Sequence, residues 1–179
     1  MSKWTIDKSF SFEMGHRVWA QKLDTPEFSI STECACKHLH GHSYELKVFL
    51  SGNDLDQSHM VTDFKNLNWI KEFLDTKLDH RFMIDINDPN FEIITGIPRF
   101  ELIDEVKDFS LLKNSHIAEV WTKEFQLHVD SFVLVNFCPT SEKICEMLAK
   151  KFQLEMRKIA DVTAVELWET KKSHCRYEL

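Results

Sequence analysis

The strongest constraint on the fold is a two-residue alternation near the amino terminus. From Trp4 to Met14 the even positions are mostly apolar and the odd positions are polar. A period of two is typical of a β-strand with one face against a core. The alternation returns from His42 to Leu50, and the turn-forming residues 51–54 follow it. The sequence therefore predicts two strands, which we expect to pair antiparallel.

Two amphipathic helices are predicted further along the chain. Asp63 has the character of an N-cap, and an apolar stripe at helical spacing runs from Phe64 to Leu78. Residues 139–142, with the sequence Pro-Thr-Ser-Glu, resemble a second helix start, and a stripe from Ile144 to Phe152 follows. We expect the two helices to pack side by side.

The remaining segments complete a single domain of residues 1–179. Val162 to Thr170 is strand-like, and His174 to Leu179 fits a return strand or a tail. The interval from Asp85 to Asp130 is treated as an insertion or elaboration, and Phe132 to Phe137 could form another strand. Within the insertion, weak helical stripes are formed by Leu102, Ile103, Val106, Ile117, Val120, Trp121 and Phe125.

Composition indicates a globular protein of a reducing compartment. A chain of 179 residues with 43% hydrophobic residues can bury one core. The formal charge of -7 gives no support for nucleic-acid binding. Five cysteines without repeated spacing, and an amino terminus without the apolar core of a secretion signal, favour reduced thiols in the cytoplasm. No apolar run reaches the roughly 18 residues that a membrane span requires.

The residues most suggestive of chemistry are histidines. In an extended chain residues i and i+2 point to the same side, so His40 and His42 can present two imidazoles together. His16, at the end of the first strand, could supply a third if the neighbouring strand ends meet. Three histidine ligands without a fourth protein ligand are typical of a catalytic zinc, because the vacant position accepts water or substrate.

The same segment admits other interpretations. A lone His-x-His motif is often only hydrogen-bonded or solvated. Cys34 and Cys36 could instead bind a structural zinc together with His38 or His40. A zinc knuckle normally has two separated ligand pairs, and no matching pair follows downstream. The residues alone leave these alternatives open.

Five short motifs, in this order, resemble those of the 6-pyruvoyl/6-carboxy-tetrahydropterin synthase family. They are Phe12-Glu13-Met14-Gly15-His16-Arg17, Cys36-x-x-x-His40-Gly41-His42, Leu78-Asp79-His80-Arg81-Phe82, Pro139-Thr140-Ser141-Glu142 and Glu169-Thr170. The interval from Asp85 to Asp130 is longer than in compact members, and Met14-Gly15 replaces a pair of small residues.

The resemblance implies a fold, an assembly and site residues. The fold is the α+β tunnelling fold (T-fold), an antiparallel four-stranded sheet with two helices on one face, and the assembly is a homohexamer made of two trimers. The implied roles are Zn²⁺ binding by His16, His40 and His42, proton abstraction by Cys36, a proton relay of Asp79, His80 and Glu169, and pterin binding by Glu169 and Thr140.

Each of these roles has a plainer alternative. Asp79 and His80 could be a helix-end pair, with the histidine favoured by the helix dipole. Glu169 could be a surface residue of an edge strand, and Thr140 only a helix cap. Because no Gly-rich phosphate loop is present, a triphosphate would have to meet basic side chains such as Arg17, Lys37 or Lys172.

The implied substrate is a reduced pterin triphosphate. The three residues between Cys36 and the His-Gly-His motif resemble the spacing of 6-carboxy-tetrahydropterin synthases, whereas 6-pyruvoyl synthases usually have a longer one. The implied reaction converts 7,8-dihydroneopterin triphosphate to 6-carboxy-5,6,7,8-tetrahydropterin with release of acetaldehyde and triphosphate, toward queuosine. The alternatives are 6-pyruvoyl-tetrahydropterin formation and a non-catalytic zinc- or pterin-binding protein.

Overall fold

The computed structural model describes residues 4–23, 34–99, 102–107, 110–113 and 121–179. In this part of the chain the strands are Trp4–His16 (β1), His40–Gly52 (β2), Arg81–Asp85 (β3), Leu102–Lys107 (β4), Ser110–Lys113 (β5), Phe132–Val135 (β6), Asp161–Thr170 (β7) and Ser173–Glu178 (β8). The α-helices are Asn68–Lys77 (α1), Phe91–Thr95 (α2), Lys123–Asp130 (α3) and Ser141–Met156 (α4), and Ala35–Lys37 and Phe64–Leu67 are 3₁₀ turns. The fold is therefore α+β.

Six strands form one sheet in the order β6-β3-β1-β2-β7-β8. Strand β7 pairs antiparallel with both β2 and β8, whereas β3 runs parallel to β1 and to β6. The predicted four-stranded sheet was therefore too small, since β3 and β6 extend it. Strand β6 confirms the possible strand predicted from the apolar run Phe132 to Phe137. Strand β3 was not predicted, because its apolar run from Phe82 to Ile84 is too short to show an alternation.

Strands β1 and β2 are antiparallel neighbours, as predicted. The hydroxyl oxygens of Thr5 and Ser51 are 3.2 Å apart, and the hydroxyl of Ser43 donates to Glu13 at 2.8 Å. Residue numbers rise along one strand as they fall along the other, which defines an antiparallel pair. The end of β1 therefore lies beside the start of β2.

The predicted alternation is present in β1 and β2. Phe10, Phe12 and Met14 are buried, and the residues between them are exposed. In β2 the buried apolar residues are Tyr44, Leu46, Val48 and Leu50. Side chains of opposite character thus point to opposite faces of the sheet.

The two predicted helices are confirmed, with small changes at their starts. Asp63 caps the Phe64–Leu67 turn by accepting a hydrogen bond from the Lys65 N–H, and α1 follows this turn. The helix α4 begins at Ser141. The ring of Phe152 in α4 packs edge-on against Trp69 and Phe73 of α1, with centroid distances of 5.7 and 6.2 Å. The helices therefore pack side by side.

The interval from Asp85 to Asp130 differs from its predicted helical stripes. Leu102, Ile103 and Val106 lie in strand β4, which pairs with β5 as a separate antiparallel hairpin. A stripe of three apolar residues in five positions is too short to separate a helix from a strand. Phe125 does lie in a helix, α3, and Trp121 precedes it, whereas Ile117 and Val120 fall outside the described residues.

This interval shares an apolar core with the added strands. The buried members of the core are Ile84, Phe91, Ile97, Val129 and Leu134, and Phe82, Phe125 and Phe132 are among the residues that pack against it. Burial of these side chains favours packing of Phe91, Ile97 and Val129 against β3 and β6.

Contacts divide the described residues into two compact units. The first lies within Met1–Glu13, His42–Asp79 and Ser141–Leu179, and the second within Met14–Gly41 and His80–Thr140. The first contains α1, α4, β7 and β8, and the second contains β3, β6 and the core just described. The one-domain organisation of residues 1–179 stays a prediction. Among the helices of the described residues, none combines the length and the hydropathy needed to cross a bilayer.

Candidate metal centre

Three imidazoles meet at the adjoining ends of β1 and β2. His16 is the last residue of β1, His40 is the first of β2, and His42 follows two positions later. One ligand nitrogen from each histidine lies within 4.8 Å of the others. His16 is buried and the other two are half-buried. This set could hold a metal ion, since imidazole nitrogen is a common ligand of zinc and related metals.

Hydrogen bonds determine the tautomers of two of these rings. Nδ1 of His16 lies 2.7 Å from the carbonyl oxygen of Pro139, and Nδ1 of His40 lies 2.8 Å from that of His38. A carbonyl oxygen only accepts, so each Nδ1 must carry the proton and donate it. In the neutral ring this leaves the lone pair on Nε2, the tautomer in which an outer hydrogen-bond partner usually holds a metal-binding histidine. The residues present therefore fit a metal ion.

Glu169 lies beside the third histidine. Its Oε1 is 3.5 Å from Nε2 of His42, and the two side chains are 26% and 21% exposed. The carboxylate is thus close to the histidines and still accessible to a ligand. Burial, with the nearby charges of Glu169 and Cys175, raises the pKa of Tyr44 above its ordinary range, so its hydroxyl stays protonated.

A tight turn holds the two cysteines of the Cys-x-Cys segment together. Cys34 precedes the Ala35–Lys37 turn, and the backbone N–H and the thiol of Cys36 hydrogen-bond to its sulfur. These bonds hold the pKa of the Cys34 thiol below its ordinary value. Among the described residues, the ligand atoms that cluster come from the three histidines, without either cysteine.

Asp79 and His80 follow the end of α1. The carboxylate of Asp79 accepts the backbone N–H of Glu13 at 2.7 Å, and its own N–H donates to the Leu74 carbonyl at 2.8 Å. His80 is exposed and has a left-handed backbone, with φ of 57°. This is the arrangement expected of a helix end. Their part in a proton relay stays a prediction.

Thr140 lies immediately before α4, which begins at Ser141. Its backbone N–H donates to the Cys138 carbonyl at 2.8 Å. A contact with pterin stays a prediction for this residue.

Two buried acidic residues near this site were not identified from the sequence. Arg17, named above as a candidate phosphate contact, pairs through Nε with Oδ2 of Asp88 at 3.1 Å, and the Asp88 side chain is fully buried. The indole N–H of Trp19 donates to Oδ2 of Asp85 at 2.9 Å. The polar residues directly after the apolar run of β3 were the available signal, because acidic residues at a strand end often form turns.

A separate cavity of about 620 Å³ lies in the first unit. Its lining includes Lys8, Lys47, Lys71 and Trp168 but none of the predicted site residues. The chemistry suggested by the histidines is therefore not located in this cavity.

Comparisons with known proteins give matches over nearly the whole chain. The family model described as 6-pyruvoyl tetrahydropterin synthase matches residues 5–179. A 6-carboxy-5,6,7,8-tetrahydropterin synthase of Aquifex aeolicus (strain VF5) is 32% identical over 188 aligned positions, which cover 98% of each chain.

Solved structures support the same fold. An uncharacterized protein from Wolinella succinogenes has a TM-score of 0.86 and 37% identity, covering 98% of this chain and 97% of its own. The Caenorhabditis elegans 6-pyruvoyl tetrahydropterin synthase has a TM-score of 0.54 and 22% identity, covering 98% and 95%. The second likeness concerns the fold alone, which is the T-fold.

Proposed function

Because the chain belongs to the 6-pyruvoyl tetrahydropterin synthase family, we propose that it is a zinc-dependent 6-carboxy-5,6,7,8-tetrahydropterin synthase. The reaction converts 7,8-dihydroneopterin triphosphate to 6-carboxy-5,6,7,8-tetrahydropterin and releases acetaldehyde and triphosphate, as a step toward queuosine. The observation that carries the proposal is the cluster of three imidazoles, two of which lie within hydrogen-bond distance of a backbone carbonyl through Nδ1.

We assign the metal to His16, His40 and His42. Among the described residues the ligand cluster consists of these three imidazoles, which suits a zinc ion that keeps one position for substrate. When bound, zinc would polarise oxygens of the substrate side chain and acidify the adjacent C–H. The carbonyls of Pro139 and His38 keep the first two rings oriented for that task.

We assign proton abstraction to Cys36. A thiol acts as a base only when it is ionised and correctly placed. Cys36 is half-buried. Its carbonyl accepts the N–H of Val18 at 2.8 Å, and Val18 lies two residues after the proposed ligand His16. In this proposal Asp79, His80 and Glu169 relay the proton.

Pterin recognition is proposed for Glu169 and Thr140. A pterin ring has an amino group beside a ring N–H, a donor pair that matches the two oxygens of one carboxylate. The partial exposure of Glu169 beside His42 supports this contact, because it leaves the carboxylate accessible next to the histidines. Thr140 would lie near the same ring.

The preference for the carboxy reaction has two supports. Three residues separate Cys36 from His40, and the Aquifex aeolicus relative carries the name of the carboxy enzyme. The second candidate is the 6-pyruvoyl reaction, which the name of the family favours. That reaction eliminates triphosphate but retains the side-chain carbons, so it releases no acetaldehyde.

We further propose a cytoplasmic homohexamer made of two trimers. In the described part of the chain, β8 is an outer strand of the sheet, and an edge strand offers unpaired backbone groups to another copy. The five cysteines form no disulfide among the described residues, as suits a reducing compartment.

The decisive test is product identification with matched cysteine variants. Purified protein with 7,8-dihydroneopterin triphosphate is expected to release acetaldehyde in step with 6-carboxy-tetrahydropterin, measured by coupled assay and mass spectrometry. Cys36→Ala should abolish turnover and retain zinc, whereas Cys34→Ala, the control two residues away, should keep both. His40→Ala should lose both turnover and zinc.

Three results would contradict these assignments. A 6-pyruvoyl product without acetaldehyde would favour the second candidate. Loss of zinc in Cys36→Ala would favour a structural Cys/His site. Full activity of Cys36→Ala, with loss in Cys34→Ala, would move the base to the neighbouring thiol.

A further inference from the structure

The segment that follows His16 is held by two buried carboxylates. Arg17 pairs with Asp88 at 3.1 Å, and the Trp19 indole N–H donates to Asp85 at 2.9 Å. Asp85 and Asp88 are 3% and 0% exposed. A carboxylate is tolerated at such burial only when hydrogen bonds or charges compensate its lost hydration. Each contact therefore constrains both of its partners.

The carboxylates are themselves fixed by local hydrogen bonds. Oδ1 of Asp85 accepts from the backbone N–H and the side-chain amide of Asn87, at 2.9 and 3.0 Å. Oδ1 of Asp88 accepts the backbone N–H of Asn90 at 2.8 Å. Asp85 also ends β3, where it pairs with Val135 of β6. Asp85 thus belongs to the sheet, whereas Asp88 lies in the turn between β3 and α2, and local hydrogen bonds fix both carboxylates.

Val18 lies between the two anchored side chains and contacts the Cys36 peptide. Its N–H donates to the Cys36 carbonyl at 2.8 Å, and its own carbonyl accepts the Gln21 N–H at 3.2 Å. The single backbone N–H of Val18 is used for the hydrogen bond to the Cys36 carbonyl. The position of Val18 therefore determines where this carbonyl is held. The chain of contacts runs from the carboxylates through Val18 to Cys36.

We propose that Asp85 and Asp88 are positioning residues that fix the Cys36 peptide relative to His16. They act through Arg17 and Trp19, and touch neither substrate nor metal. The catalytic consequence rests on the proposed function, in which Cys36 is the base. A base must be held within hydrogen-bond reach of the proton it removes, so small displacements reduce the rate of the chemical step.

The test compares two Trp→Phe variants of the full chain. Trp19→Phe removes the indole N–H that donates to Asp85 and retains an aromatic ring. Trp69→Phe is the control, because it removes an indole N–H that donates to the Met156 sulfur at 3.2 Å. Amide hydrogen exchange at Val18 is expected to quicken about fivefold in Trp19→Phe, as loss of one supporting hydrogen bond implies. It should not change in Trp69→Phe.

Steady-state kinetics provide a second measurement, which would not change if Asp85 and Trp19 had a purely structural role. Trp19→Phe should lower kcat about tenfold or more, with KM and zinc content within about twofold of wild type. Asp85→Ala should reproduce this loss. Asp85→Asn should recover only part of it, because its single amide oxygen can accept either the indole N–H or the Asn87 donors, but not both. The double variant Trp19→Phe/Asp85→Ala should be no slower than either single variant.

The outcomes separate this proposal from the proposed function. Unchanged exchange at Val18 in Trp19→Phe overturns the anchoring, whether or not the wild type turns over. Quickened exchange with wild-type kcat overturns the catalytic consequence. Absence of acetaldehyde from the wild-type reaction instead counts against the carboxy-synthase assignment, and exchange at Val18 still decides whether the carboxylates hold the Cys36 peptide.

Discussion

The tight packing of the Phe82 ring against Gly15, next to His16, predicts the effect of a single methyl group at this glycine. Gly15 pairs with Phe82 across β1 and β3. A Cβ added there would lie 2.5 Å from Cδ2 of Phe82 and 3.2 Å from the His40 carbonyl oxygen. An ordinary contact begins near 3.4 Å, so the ring must move by most of an ångström. Its freedom is limited, because Phe82 packs edge-on against Phe132 at 6.3 Å.

Gly15→Ala is therefore expected to lower the free energy of unfolding by about 1–3 kcal/mol, the usual cost of overpacking. For a chain of this size each kcal/mol lowers Tm by about 2–4 °C. Thermal and urea unfolding of metal-free protein should show the loss, since a chelator removes any stabilisation that comes from zinc binding.

Gly41→Ala is the matched control, because this glycine also adjoins the histidines. Its added Cβ would meet the Met14 carbonyl at 3.2 Å and Cα of Gly15 at 3.5 Å, a much smaller overlap. Its cost should stay below about 1 kcal/mol. Phe82→Leu in the Gly15→Ala background should recover part of the loss, so that the two changes are not additive. Equal losses in both glycine variants, or additive effects of Gly15→Ala and Phe82→Leu, would refute the steric explanation.

Three further results are expected. Phe152→Ala empties a fully buried site in α4 and should cost about 3–5 kcal/mol in urea unfolding; a loss below 1 kcal/mol would contradict the packing. Lys143 and Lys150 hold the pKa of Glu146 at about 2 instead of 4.5. The stabilisation of the folded state by these ion pairs is therefore present above pH 4.5 and is lost as the pH falls toward 2. The Tm deficit of Glu146→Gln should accordingly shrink on acidification and in high salt, and a deficit that grows would be inconsistent with this sign. Zinc at a hundredfold excess over its Kd should stabilise the wild type by about 2.7 kcal/mol, and a zinc-induced rise in Tm that persists in His40→Ala would exclude that ligand.

Local sequence patterns were sufficient for the elements whose side chains have a clear period. Alternation in β1 and β2 predicted two strands, and it placed His40 and His42 on the same side of β2. Asp63 and the segment 139–142 marked the two helix starts to within about a turn. These signals are readable because a strand or helix repeats its burial every two or 3.6 residues.

The same patterns did not identify every short strand. The run that begins at Phe132 was recognised and forms β6, but β3, with only Phe82 to Ile84 apolar, was not predicted, and β4 was mistaken for part of a helical stripe. A strand that is buried on both faces shows no alternation of apolar and polar residues. Three apolar residues within five positions fit a helix as well as a strand. The six-stranded sheet therefore emerged only from strand pairing.

By itself, the sequence determined the main strands and helices, the family motifs and the identity of the three histidines. Only the tertiary structure decided how they are used. The proton on His16 is located by the Pro139 carbonyl, 123 positions away in the chain. The burial of Asp85 and Asp88 against the segment after His16 is likewise non-local. Contacts of this kind depend on which strands pair and in which register. A local sequence pattern does not determine that pairing.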